Sequence, residues 1–163
     1  MVKQILIEPH PILRKVAPTA TAEFLASAEF KTLTKNLIDT LHASDGVGIA
    51  APQIGESVAL CVIDKRFTKD KKHDLVLVDP VWTKATLATA WGEEGCLSVP
   101  NLWGKVKRYK KIKVKALGED GKPLIFAAED FFARAIQHEV DHLRGILFID
   151  KAKDLYTFEK SHD

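Results

Sequence analysis

The sequence has 163 residues, enough for one domain with a substantial core. Hydrophobic residues make up 46%, charged residues 28%, and the net charge is +2, a globular balance that gives no strong electrostatic case for nucleic-acid or acidic-membrane binding, with the basic run Lys105 to Lys115 the one stretch open to a polyanion. The two cysteines, Cys61 and Cys96, do not make a disulfide framework, and no apolar run suits a signal peptide or a membrane span, so a cytoplasmic location is expected.

In chain order, "HPILRKVA" (His10 to Ala17) is expected to form a helical turn or two after Pro11. Thr21 to Ser44 is predicted as one long helix, capped by Thr21, with Phe24, Leu33, Leu37 and Leu41 near one face. It stops before "DGVGIAAPQIG", which reads as a glycine-rich loop. "SVALCVID" and "DLVLVDP" read as strands, joined by the polar "KRFTKDKKH". "ATLATAWGEEGCLSVP" starts strand-like and is expected to turn at Gly92 and Gly95. "KVKRYKKIKVK", Lys105 to Lys115, alternates Lys with Val, Ile and Tyr as one half-exposed strand does. A second strand is expected after the "EDGK" turn. "EDFFARAIQHEVDHLRG" is the second long helix, ended by Gly145 as its C′ residue. The final stretch is short and increasingly polar. This order predicts an α+β fold, a single domain over 1–163, with mostly antiparallel sheets packed around a central helix that bears the H-E-x-x-H pattern.

That pattern is His138, Glu139 and His142. Histidines four apart on a helix lie ~6 Å apart along the axis on nearly one face, so both meet one cation from the same side. Glu139, turned by ~100° from His138, reaches a water activated by that cation without ligating it. The third ligand lies elsewhere. The extended motif with a third histidine fails, because Phe148 stands at that position. A downstream glutamate is offered only by Glu159. Upstream, Cys96 in "WGEEGCLSVP" completes a Cys-His-His set with one position open, the catalytic arrangement. Gly95 beside it allows close approach of the backbone. His10, His42, His73 and His162 are scattered and form no closed four-ligand site.

Three segments in order, "GVGIAAPQIG" (Gly46 to Gly55), "EEGCLSVP" (Glu93 to Pro100) and "QHEVDHLRG" (Gln137 to Gly145), resemble the signature motifs of peptide deformylase. The resemblance implies removal of the formyl group from formyl-methionine at the N-terminus of nascent peptides, with formate released. It implies Cys96, His138 and His142 as metal ligands, with Fe2+ in the cell and Zn2+, Ni2+ or Co2+ able to replace it. It implies Glu139 as the base, and Gln53 with the Leu97 backbone N–H as donors to the developing oxyanion. Gly48 matches a backbone contact to the peptide. Val47, Phe131 and Ala135 are expected along the methionine pocket. Glu94 and Arg108 match a carboxylate–arginine pair near the site, and Asp141 is a further candidate partner of a ligand. The implied partners are formylated nascent peptides and, transiently, the ribosome. The segment after Asp150 is shorter than the terminal helix through which many bacterial members are expected to make that contact. Trp103 is expected at the rim of the cleft, over substrate residues past the methionine or over the core.

Overall fold

The computed structural model describes residues 1–157. After a 3-10 turn at Pro11–Arg14, two helices follow in place of the single one expected: α1, Ala22–Leu25, and α2, Ala28–Ser44. The break has a local cause. Thr21 caps α1 by accepting from the Phe24 N–H at 3.1 Å, and Ser27 caps α2 in the same way from the Phe30 N–H at 3.2 Å. A second N-cap inside the apolar pattern restarts the helix at a new angle. Leu33, Leu37 and Leu41 are buried on α2 as their spacing predicts.

The strands are β1 (Gly48–Ala50), β2 (Leu60–Ile63), β3 (Leu75–Lys84), β4 (Thr89–Cys96), β5 (Val99–Tyr109), β6 (Lys111–Leu117), β7 (Pro123–Glu129) and β8 (Lys153–Thr157). They form two antiparallel sheets, one ordered β1-β2-β3-β6-β7 and one ordered β4-β5-β8. The α+β class with antiparallel sheets therefore holds. Helix α3, Asp130–Leu143, packs on strands of both sheets. Its end is as expected, with Gly145 at φ +73°, a conformation open to glycine.

Sequence and structure part at four further places. "GVGIAAPQIG" is not all loop: Gly48–Ala50 pairs with β2, and Ala51–Ile54 forms a 3-10 turn. Strand β4 continues through Gly92 and Gly95, with a shift of register against β5 between Glu94 and Cys96, and the turn comes at Leu97 and Ser98. The lysine-rich run is two strands, broken at Lys110, and they belong to different sheets. The polar end contains a strand, β8, paired with β5.

The five-stranded sheet is buried on both sides at β2. Leu60 and Val62 face α2 together with Phe30, Leu37 and Leu41; Cys61 and Ile63 face α3 together with Ile136 and Val140. Alternate side chains point to opposite faces, so one four-residue strand supplies both cores. The N-terminal segment pins the loops ahead. Leu6 N–H donates to Gln53 O at 2.8 Å, and Glu8 N–H donates to Ser98 O at 2.9 Å. Among the described residues no helix is long and apolar enough to cross a membrane.

Candidate metal centre

The end of β4 and the middle of α3 bring Cys96, His138 and His142 together. One candidate ligand atom from each lies within 4.8 Å of the others. Cys96 Sγ stands 3.3 Å from His142 Nε2, close to the ~3.5 Å edge of a tetrahedron built on ordinary metal–sulfur and metal–nitrogen distances. The two imidazole centroids are 5.1 Å apart. A thiolate with two imidazoles is a soft-to-borderline donor set that suits Fe2+, Co2+, Ni2+ and Zn2+ alike. The residues present therefore fit a divalent transition metal.

Glu94, also on β4 and buried, organises this group. Its Oε1 stands 2.8 Å from His138 Nδ1, so it holds a proton on that nitrogen and leaves the other free for the cluster. Arg108 donates to both of its oxygens, from Nε at 3.0 Å and Nη2 at 2.9 Å, and Arg134 donates to Oε2 at 2.6 Å. Burial alone would raise the carboxyl's pKa, but the hydrogen bonds from His138 and Arg108 hold it well below the usual range. Arg108 reaches on to Asp141 at 2.6 Å, and Asp141 also pairs with Lys151 at 3.1 Å. Asp141 is thus a buried member of the network rather than a charge on the helix surface.

The two histidines differ in charge preference. Burial, followed by repulsion from His138 and Arg108, pushes His142 well below its usual pKa, so its imidazole is neutral. Burial also disfavours charge on His138, yet the hydrogen bonds it donates to Cys96 and Glu94 outweigh it and raise its pKa. A cation held there would take the place of that second proton.

Glu139 lies under the group and is 4% exposed. Its Oε2 is buried without a hydrogen-bond partner. Burial pushes its pKa up to about 7, against the opposing charge of His138. The carboxylate is pressed against β1: a Cβ on Gly48 would stand 2.8 Å from Oε1. Only glycine permits that approach.

Gln53 is fixed from both ends. Its Oε1 accepts from the Ala50 N–H at 2.8 Å, and its Nε2 points to Ser98 Oγ at 3.1 Å and Cys96 Sγ at 3.7 Å. Together with Leu97, Val47, Gly48, Phe131 and Ala135, it lines a cleft of about 730 Å³ whose floor includes His138 and Glu139. Phe131 is 48% exposed at its edge, with Phe67 at 5.4 Å between centroids. Every sequence-predicted site residue except Arg108, Asp141 and His142 lines this cleft, and those three sit behind it in the same network. Glu159 lies outside the described residues.

Three participants were not singled out from the sequence: Ser98, Gln137 and Arg134. Gln137 holds Tyr109 through both backbone groups, Tyr109 N–H to Oε1 at 3.1 Å and Nε2 to Tyr109 O at 2.9 Å. Arg134 stands four residues before His138, on the same helical face, and that spacing was the available signal. A second cluster, His42, Asp64 and Asp74, also brings ligand-type atoms together. There Arg66 donates to both Asp64 oxygens, at 3.1 and 3.0 Å, which makes it an ion-pair network at the end of α2.

A family model described as polypeptide deformylase matches residues 2–157. The chain is 40% identical over 153 residues to the peptide deformylase of Desulforudis audaxviator, covering 94% of this chain and 95% of the relative. It is 38% identical over 161 residues to that of Natranaerobius thermophilus, covering 99% of each. A crystal structure of a peptide deformylase from Legionella pneumophila superposes with a TM-score of 0.85 at 39% identity, covering 94% of this chain and 88% of the other.

Proposed function

This chain belongs to the peptide deformylase family, and from that premise we propose how its own residues carry out the reaction. The reaction is hydrolysis of the formamide at the N-terminus of a nascent formyl-methionyl peptide, giving formate and a free amine. The family is metal-dependent. We assign the metal to Cys96, His138 and His142, with Fe2+ in the cell and Zn2+, Ni2+ or Co2+ as replacements. When bound, the metal supplies Lewis acidity to the formyl oxygen and to the attacking water.

The protein's part is positioning and proton movement. Glu94 fixes the orientation of His138. Glu139 accepts the proton of the attacking water on its carboxylate and delivers it to the leaving nitrogen. Its burial keeps bulk water from competing for that proton. Gln53 Nε2 and the Leu97 N–H donate to the formyl oxygen as it becomes negative. The hydrogen bond from the Ala50 N–H supports this role for Gln53, because it fixes which way the amide points. Strand β1 is a sheet edge, so the Gly48 backbone is free to pair with an extended peptide. Val47, Phe131 and Ala135 surround the methionine side chain. The solved Acinetobacter baumannii deformylase with Met-Ala-Ser bound supports a methionine-first peptide in such a cleft.

In the same reading, 1–163 is one catalytic domain with α3 at its centre, the enzyme is cytoplasmic, and its contact with the ribosome is transient. The bacterial relatives support that location. The observation that carries the reading is the meeting of Cys96, His138 and His142 beside Glu139 in one cleft. Formate release from formyl-Met-Ala-Ser, by protein purified without oxygen, tests it. Glu139→Gln is expected to keep its metal and lose about 10²- to 10⁴-fold in kcat. Full metal loading without turnover in the unsubstituted protein would overturn the reading.

A further inference from the structure

Helix α2 ends at Ser44 and β1 begins at Gly48. Asp45, Gly46 and Val47 carry the chain between them, and all three line the cleft. Each is gripped by the short segment that follows β2. Asp64 N–H donates to Val47 O at 2.9 Å. Arg66 Nη2 donates to Gly46 O at 3.2 Å, and its Nη1 donates to Asp45 Oδ1 at 2.9 Å. The guanidinium is itself fixed on the buried Asp64 carboxylate, from Nε at 3.1 Å to one oxygen and from Nη2 at 3.0 Å to the other. A planar fork holds several acceptors at set angles, which an ammonium does not.

The gripping segment is anchored elsewhere. It is a 3-10 turn, Lys65–Phe67, capped by Asp64, whose Oδ1 accepts from the Arg66 N–H at 2.8 Å. The Lys65 N–H donates to Asp74 Oδ1 at 2.9 Å. The Phe67 ring lies 5.4 Å from that of Phe131 on α3, between centroids. The gripped segment needs the hold. Asp45 has φ +57°, a left-handed conformation that a residue with a side chain keeps when its surroundings impose it.

The course of this segment bears on the chemistry. Gly46 is pressed against Leu97: a Cβ there would stand 2.8 Å from Leu97 Cδ1. Gly48, two residues on, is pressed against Glu139 Oε1 in the same way. We propose that Arg66 is a positioning residue for the reaction: by gripping Asp45 and Gly46 it sets the places of Leu97 and Glu139. The proposal rests on the deformylase reading, in which Leu97 supplies an oxyanion donor and Glu139 the base. Arg66 lies in none of the three motif segments, and it acts on the reacting atoms only through the chain it holds.

The test is steady-state formate release from formyl-Met-Ala-Ser by the metal-loaded full chain, with kcat expressed per bound metal ion and KM read separately. Arg66→Ala is expected to fold, because Asp64 keeps the N–H of residue 66 and has His42 Nε2 at 4.0 Å. Its kcat is expected to fall on the order of 10- to 100-fold, what misplacing catalytic groups by up to about 1 Å costs. KM is expected to stay within about threefold of wild type, because Leu97 and Glu139 act on the transition state. Hydrogen exchange supplies a local readout. The Asp64 amide, released from Val47 O, is expected to exchange roughly tenfold faster, beyond any change in the amides of α3. Arg66→Lys keeps a charge beside Asp64 without the fork, and its kcat is expected to stay below half of wild type. A kcat within twofold of wild type in Arg66→Ala, a loss carried by KM alone, or unchanged Asp64 exchange overturns the proposal. Should Arg66→Ala not fold, wild-type kcat in Arg66→Lys overturns it. No turnover by the metal-loaded wild type is a different failure: it removes the deformylase reading and this proposal with it.

Discussion

Replacing Glu94 by glutamine takes one negative charge out of a buried position that holds two guanidinium groups and an imidazole, at 2.6 to 3.0 Å. Arg108 keeps Asp141, and Arg134 keeps the carbonyls of Val106 and Ala90. Neither arginine is stranded, but both lose their shared anion. Breaking a buried pair costs about 3–5 kcal/mol, and the glutamine carbonyl still accepts one bond, so about 2–4 kcal/mol is expected. A domain of this size has roughly 5–15 kcal/mol in total, so the loss is large in a urea melt. The second effect is on the metal. A glutamine amide does not favour the Nδ1 proton as a carboxylate does, so His138 becomes a weaker ligand and metal affinity falls about 10- to 100-fold. Chelator competition on the folded variant measures that separately from stability. A variant with unchanged melting and metal affinity within threefold of wild type would refute the account of Glu94 as the organiser of the centre.

Gly48→Ala forces a Cβ to within 2.8 Å of Glu139 Oε1. A displaced base costs far more in rate than in stability, so kcat is expected to fall on the order of 100-fold with a melting temperature near wild type. Near-wild-type kcat would show that Glu139 moves freely. Asp150 tests pH dependence away from the centre. Burial works to raise its pKa, but Arg14 at 2.5 Å and the Leu147 N–H at 3.0 Å win, and the carboxyl lies below its usual value. A depressed carboxyl stabilises the fold above its unfolded pKa of about 3.9 and loses that contribution as pH falls through the lower folded value. Asp150→Asn should therefore melt below wild type at pH 7, with the gap beginning to close as pH drops under about 4 and vanishing only once it has fallen through the depressed folded value. A gap that is constant with pH would mean the charge is irrelevant.

The periodic parts were legible. The spacing of Leu33, Leu37 and Leu41, the H-E-x-x-H step on α3 and the glycine at 145 report local geometry that the backbone imposes within a turn or two. The break at Ser27 was missed because a serine inside an apolar pattern reads equally as a surface position. The split of the lysine run at Lys110 was missed because β5 and β6 alternate in the same way on either side of it. Cys96 was a reasonable third ligand from chemistry and motif. Nothing local, however, brings a thiol on β4 to 3.3 Å from His142.

What the sequence by itself determined is therefore the donor chemistry: one thiol, two imidazoles at helical spacing, a carboxylate between them, and the order of three motifs along the chain. Tertiary structure decided the rest. Packing of α3 against both sheets brings Cys96 to the histidines, encloses Asp141 as a buried partner of Arg108, and sets Arg134 on Glu94. Pairing of the polar C-terminal stretch with β5 puts Tyr156 beside Trp103. These contacts join residues tens of positions apart, and no periodicity encodes them. They form because burying the charges of Glu94, Arg108 and Asp141 is tolerable only when each finds the others.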